Sequence, residues 1–152
     1  MTAIRDLLSY RLHLVANLLS RGAELRYRRE FGVSLWEWRT LALLGGSQAP
    51  LSLNHLAHAA GIHKSQMSRV VSGLTKRKLV VRDANSEDAR GVQLALTASG
   101  RKLYAGLIEA AAERDAAFRD CLSTREKQVF EQALAKLAGQ ARDFIHQEKA
   151  GK

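Results

Sequence analysis

The 152-residue chain carries 24 Lys and Arg against 15 Asp and Glu, a formal net charge of +9, and 46% of its residues are hydrophobic. That apolar share supports a packed core and excludes a chain disordered by composition, and the length fits one domain with helical extensions. So large a basic excess points to a polyanionic partner, although charge alone does not separate DNA from RNA or an anionic membrane surface.

The single cysteine, Cys121, excludes an intramolecular disulfide framework and a Cys-rich zinc site, and fits a reducing compartment. No stretch approaches the roughly 20 consecutive apolar residues of a membrane span. The opening MTAIRDLLSYR lacks the apolar centre and small-residue cleavage site of a signal peptide. A cytoplasmic protein with no membrane partner is expected.

In chain order, Ile4, Leu8, Leu12, Val15 and Leu19 recur at three- and four-residue steps, with Leu7 and Leu18 widening the stripe. This predicts an amphipathic helix from residue 4 to about 30, broken by Gly32. Ser34 is the expected N-cap of a second helix, LWEWRTLALL, ended by Gly45 and Gly46. A short third helix follows Ser52 and stops at Gly61, and a fourth covers His63 to Lys78. The period then changes: Leu79 to Arg82 reads as a strand, DANSEDARG as a polar tip, and VQLALT alternates, so a two-stranded β-hairpin is predicted. Thr97 or Ser99 opens a long fifth helix, and Ser123 with Glu126 forms the capping box of a last helix striped by Phe130, Leu134, Leu137, Ala141 and Ile145.

The fold class expected is mainly α with a small β-hairpin wing. It divides into an N-terminal dimerisation helix (1–32), a winged helix-turn-helix domain (33–100) and C-terminal dimerisation helices (101–152). The long amphipathic helices at the two ends need a covering surface, which packing against each other and against a second copy would supply. A symmetric homodimer is therefore expected.

Helix, turn, helix and hairpin is the order of a winged helix-turn-helix, whose second helix enters the major groove. At about 100° per residue, Met67, Val70, Val71 and Leu74 share one direction and must face the core. Lys64, Ser65, Gln66, Ser68, Arg69, Ser72 and Lys76 lie elsewhere on that helix, and no acid occurs from Lys64 to Lys78. A helix kept merely soluble would mix Glu with Lys on its outer face. Short hydroxyls and an amide instead permit close approach to bases, and Arg69 has the fork that pairs with guanine O6 and N7. Lys76, Arg77 and Lys78 suit phosphate. In the hairpin, Arg82 lies on the first strand and Arg90 near the tip, where an arginine can enter a narrow minor groove, with Asp88 placed to hold it; the blander alternative is a surface ion pair.

LAHAAGIHKSQMSRVVSGLTKRKLVVR, the spaced Asp88 and Arg90, and then LALTASGRKL together resemble the MarR family of bacterial transcriptional regulators; VSLWEWRTLALL is similar to that family's second helix. The resemblance is close over about residues 33 to 104 and extends to the helical ends by pattern. It implies a dimer joined through its terminal helices, bound to a pseudo-palindromic site on double-stranded DNA and usually repressing. On this chain the family's base-reading positions fall on Lys64, Ser65, Gln66, Ser68 and Arg69, and its wing pair on Asp88 and Arg90. The resemblance also implies release by a small aromatic or carboxylated effector. Polar and aromatic candidates for such a pocket are Tyr10, His13, Asn17, Trp36, Trp38 and Arg39, although Trp38 also reads as core and His13 as interface or surface.

Two positions depart from the family pattern. Lys78 stands where relatives usually have a helix-ending glycine, so a different helix end and a shifted wing are expected. His63 replaces the usual acidic or hydroxyl cap, which weakens the N-cap. Cys121, beside Asp120, lacks the cationic surroundings of a reactive thiol and reads as a small buried residue. His55 and His58 have i, i+3 spacing without nearby cysteines, which reads as surface rather than metal site. No nucleophile with its base, glycine-rich phosphate loop or carboxylate pair appears, so no enzyme, metal or cofactor is expected. The leading reading is a sequence-specific, ligand-responsive repressor. The alternatives are a DNA-architectural or counter-silencing protein of low specificity and an interaction or membrane-surface module.

Overall fold

The computed structural model describes residues 3–83 and 92–151. Its elements are a 3₁₀ turn Ile4–Asp6, α1 Leu8–Phe31, α2 Leu35–Gly45, β1 Leu51–Ser52, α3 Leu53–Ala60, α4 Lys64–Lys76, β2 Val80–Asp83, β3 Gln93–Leu96, α5 Ala98–Arg119 and α6 Thr124–Ala150. The expected class, mainly α with a small wing sheet, is the class observed. The sheet differs in one respect: it has three antiparallel strands in the order β1-β3-β2, the added edge pairing Leu51 with Leu94 and Ser52 with Gln93.

The chain forms two compact units, Met1–Ala111 and Ala112–Lys152. In the first, Tyr27, Leu41, Leu56, Met67, Leu74 and Leu107 are fully buried, and the Tyr27 ring lies 5.1 Å from that of Trp38. Helix ends are set by local chemistry. The Ser34 hydroxyl accepts from the Glu37 amide while the Glu37 carboxylate accepts from the Ser34 amide, a reciprocal cap that satisfies two end donors. Gly32 and Gly61 stop α1 and α3 in the left-handed region, at φ of 64° and 69°.

The first helix departs from the continuous rod expected from Ile4. The Asp6 carboxylate accepts from the Ala3 amide at 3.2 Å, closing a tight turn, and Leu7 is extended before α1 begins. Ala23 and Tyr27 near the end of α1 belong to the core, whereas Leu8, Leu12, Val15, Leu18 and Leu19 are exposed.

In the second unit the Ser123 and Glu126 box caps α6, and hydrogen bonds donated first by the Ser123 amide and then by its hydroxyl hold the Glu126 carboxyl below the usual carboxylate range. Arg119 bridges Asp115 and Glu131 at 2.6 and 2.9 Å. No residue of α6 is buried: its stripe of Phe130, Leu134, Leu137, Ala141 and Ile145 is exposed in the single chain. Cys121 is also exposed, against the expectation of a buried residue, because it falls in the turn beyond the last residue of α5, where its thiol lies 3.0 Å from the Phe118 carbonyl oxygen.

Candidate nucleic-acid interface

The helix-turn-helix is assembled from three local devices. The Ser52 hydroxyl accepts from the His55 amide at 3.1 Å and starts α3. Gly61 reverses the chain, and the Ile62 amide returns to the Ala57 carbonyl at 3.0 Å, which also lets half-buried Ile62 join the core. His63 then opens α4 without a side-chain cap bond, as its substitution for a capping residue predicts.

Along α4 the two faces separate. Met67, Val71 and Leu74 are buried and Val70 is half-buried, so the inward face is the one expected. Behind Met67, Thr40 donates to the Trp36 carbonyl at 2.8 Å and lies 3.4 Å from the Met67 sulfur, so its hydroxyl is satisfied inside the core. Lys64, Ser65, Gln66, Ser68, Arg69, Ser72 and Lys76 are all exposed. Among the described residues none of Lys64, Arg69, Lys76 and Arg82 enters an ion pair. The helix therefore presents uncompensated positive charge over a row of small hydroxyls.

Arg77 belongs to a different role from the one expected. It pairs with Glu37 at 3.0 Å, across 40 positions of sequence, and this bridge ties the end of α4 to the capping box of α2. The Glu37 carboxylate is then occupied, and Arg77, unlike Lys76 and Lys78, has an anionic partner among the described residues of the lobe.

Lys78 corrects a second expectation. The helix ends as a glycine would end it: Lys78 has φ of 58°, its amide donates to the Thr75 carbonyl at 2.9 Å, and the Leu79 amide donates to Leu74 at 3.0 Å. The pair of bonds forms a Schellman stop and brings Leu79 over Leu74. Non-glycine residues adopt this backbone only when the surroundings hold them there.

What holds it is Thr97, whose part in the site the sequence did not disclose. Its hydroxyl donates to the Lys78 carbonyl at 2.7 Å and accepts from the Gly100 amide at 3.0 Å, while its own amide donates to Leu79 at 3.1 Å. One side chain thus caps α5 and fastens it to the exit of α4. Gly100 completes the junction, since a Cβ there would collide with the Leu79 carbonyl oxygen. The LTASG motif was visible in the sequence; the carbonyls it serves, some 20 positions upstream, were not.

The wing begins at the same junction. Val80 and Val81 of β2 pair with Leu96 and Ala95 of β3, and Arg82 pairs opposite Leu94 and is exposed. Asp88 and Arg90 lie outside the described residues.

The candidate effector residues do not gather at one place. Trp38 is core, and Trp38 and Arg39 border a cavity of about 290 Å³ completed by Ala42, Leu43, Ala59 and Ala60. Arg39 stacks 4.8 Å from the centre of the Trp36 ring and donates to the Ser20 hydroxyl at 3.3 Å. Tyr10, His13 and Asn17 do not border that cavity; His13 and Asn17 are exposed and hydrogen-bond each other at 2.9 Å. His55 and His58 are exposed, and among the described residues no group of three potential metal ligands occurs.

Residues 31–91 match the sequence model of the MarR family. Over 102 residues the chain is 34% identical to the HTH-type transcriptional regulator FarR of Neisseria gonorrhoeae, spanning 67% of this chain and 69% of that protein. The fold superposes on a MarR/EmrR family regulator from an Acinetobacter species with a TM-score of 0.84 at 25% identity, covering 93% of this chain and 99% of the other. It matches Staphylococcus aureus MepR in complex with DNA with a TM-score of 0.79 at 23% identity, a likeness of fold covering 88% and 98% of the two chains.

Proposed function

The chain belongs to the MarR family of transcriptional regulators, and on that premise we propose that it is a homodimeric repressor that reads a pseudo-palindromic site in double-stranded DNA. The observation that carries the reading is the outer face of α4, where Arg69 stands among Ser65, Gln66, Ser68 and Ser72 with no acid on the helix and a packed core behind it. Arg69 makes the bidentate base contact, the hydroxyls and Gln66 admit the helix to the major groove, and Lys64 and Lys76 meet phosphate. Arg82 reaches the flanking minor groove together with the family's wing pair, Asp88 and Arg90. That MepR, which shares the fold, forms a complex with DNA supports DNA as the partner.

Residues 33–100 are the reading lobe in this proposal, and residues 1–32 and 101–152 join two copies. Support comes from the exposed leucines on the first half of α1 and the exposed stripe of α6, apolar faces that each follow one side of a helix. Two recognition helices would then lie about 34 Å apart, one turn of the duplex. A small aromatic or carboxylated effector would bind the cavity beside Trp38 and Arg39, favour a dimer unable to span two successive grooves and so release the protein from DNA.

The test is selection of genomic fragments by the purified protein, followed by affinity measurement on the recovered site and on random duplex. A repressor is expected to prefer its site by at least about a thousandfold. Arg69→Ala is expected to remove about 1–3 kcal/mol of specific binding in each half-site and to relax base preference at one position there. A preference far below that, with Arg69→Ala weakening all sequences equally, would instead match a DNA-architectural protein.

A further inference from the structure

Three consecutive cations, Lys76, Arg77 and Lys78, follow the recognition face of α4, and the structure gives them different fates. Arg77 is committed to Glu37 at 3.0 Å. Lys76 ends the helix in ordinary geometry. Lys78 is the one non-glycine among the described residues with a positive φ, at 58°. Its backbone is held from both sides, by its own amide bond to Thr75 and by the Thr97 hydroxyl on its carbonyl. Its side chain is exposed and, among the described residues, makes no hydrogen bond or ion pair.

Glycine would satisfy every one of those backbone bonds without the steric penalty that a Cβ suffers in the left-handed region. The lysine therefore brings strain to the fold, and nothing within the described lobe repays it. A strained position in which only the side chain is unspent is one where that side chain works on something outside the chain. Lys78 lies between the end of α4 and the start of β2, at the seam between the two elements proposed to enter adjacent grooves. A cation there meets the phosphate strand that separates those grooves.

We propose that Lys78 is a dedicated DNA phosphate contact, retained at the expense of lobe stability. The proposal rests on the reading of α4 as a recognition helix and adds a residue with a trade-off built into its backbone.

The experiment compares Lys78→Gly, Lys78→Ala and Lys78→Arg with the unaltered protein, reading Tm by thermal melting and affinity for a random-sequence duplex over a series of salt concentrations. Lys78→Gly is expected to raise Tm by about 2–4 °C while removing two phosphate contacts per dimer, which weakens binding roughly sixtyfold at 0.1 M salt and lowers the salt slope by about two. Lys78→Ala keeps the strain and loses the charge, so it should bind like the glycine variant without its gain in Tm. Lys78→Arg should keep both affinity and slope. Unchanged affinity and slope in Lys78→Gly, or a fall in its Tm, overturns the proposal. Failure of the unaltered protein to prefer duplex over anionic vesicles would instead overturn the DNA-binding reading on which it rests.

Discussion

Helices α4 and α6 are both amphipathic, yet they treat their apolar faces in opposite ways. In α4 the apolar residues Met67, Val71 and Leu74 are buried within their own compact unit, and the polar face is the one left to work. In α6 the apolar residues stay exposed, Phe130 at 49% and Phe144 at 58%, so the greasy side is the one left to work. On the proposed reading, the same periodicity belongs to a groove-entering helix in one case and to a self-associating helix in the other. What distinguishes them is whether the lobe already supplies a lid.

The comparison can be broken at either end. Leu74→Ala removes a fully buried side chain and is expected to cost about 2–5 kcal/mol of stability, read as a lower midpoint in urea at any protein concentration. The pair Leu134→Ala and Leu137→Ala should remove about 2 kcal/mol or more from association. It should lower Tm most at low protein concentration, where the weakened dimer dissociates, and shift sedimentation toward monomer. If the α6 pair instead lowered stability without altering the oligomeric state, α6 would be a core helix like α4 and the contrast would dissolve. The smallest change is Ser34→Ala, which removes the α2 cap and is expected to cost about 1 kcal/mol. The Glu37 carboxylate keeps its bonds to the backbone amide of residue 34 and to Arg77, so duplex affinity should stay nearly unchanged.

Local chemistry was readable from the chain because it is written in adjacent residues. Ser34, Ser52 and Ser123 as caps, Gly32 and Gly61 as stops, and the inward set on α4 each depend on spacings of three or four positions. Long-range pairing was less legible. Strand β1 is only Leu51 and Ser52, too short to show a period, and exists because β3 offers a free edge. The bridge from Arg77 to Glu37 needed the packing of α2 on α4 before its partners could be matched. The Cβ of Lys78 argues from sequence against a glycine-like helix end, and the Thr97 hydroxyl that pins the following peptide is a long-range partner no local spacing shows. Cysteine is usually an inside residue, and the lack of a neighbouring cation argues only against reactivity; Cys121 is exposed because it falls in the turn after α5, where little lies over it.

The junction of Leu79, Thr97 and Gly100 bears on how such a protein can be recombined. A chimera cut anywhere between residues 79 and 100 would inherit a carbonyl from one parent and the glycine that must clear it from the other. Exchange of DNA-reading modules should therefore succeed only when the donor segment runs past Gly100, carrying lock and key on the same fragment.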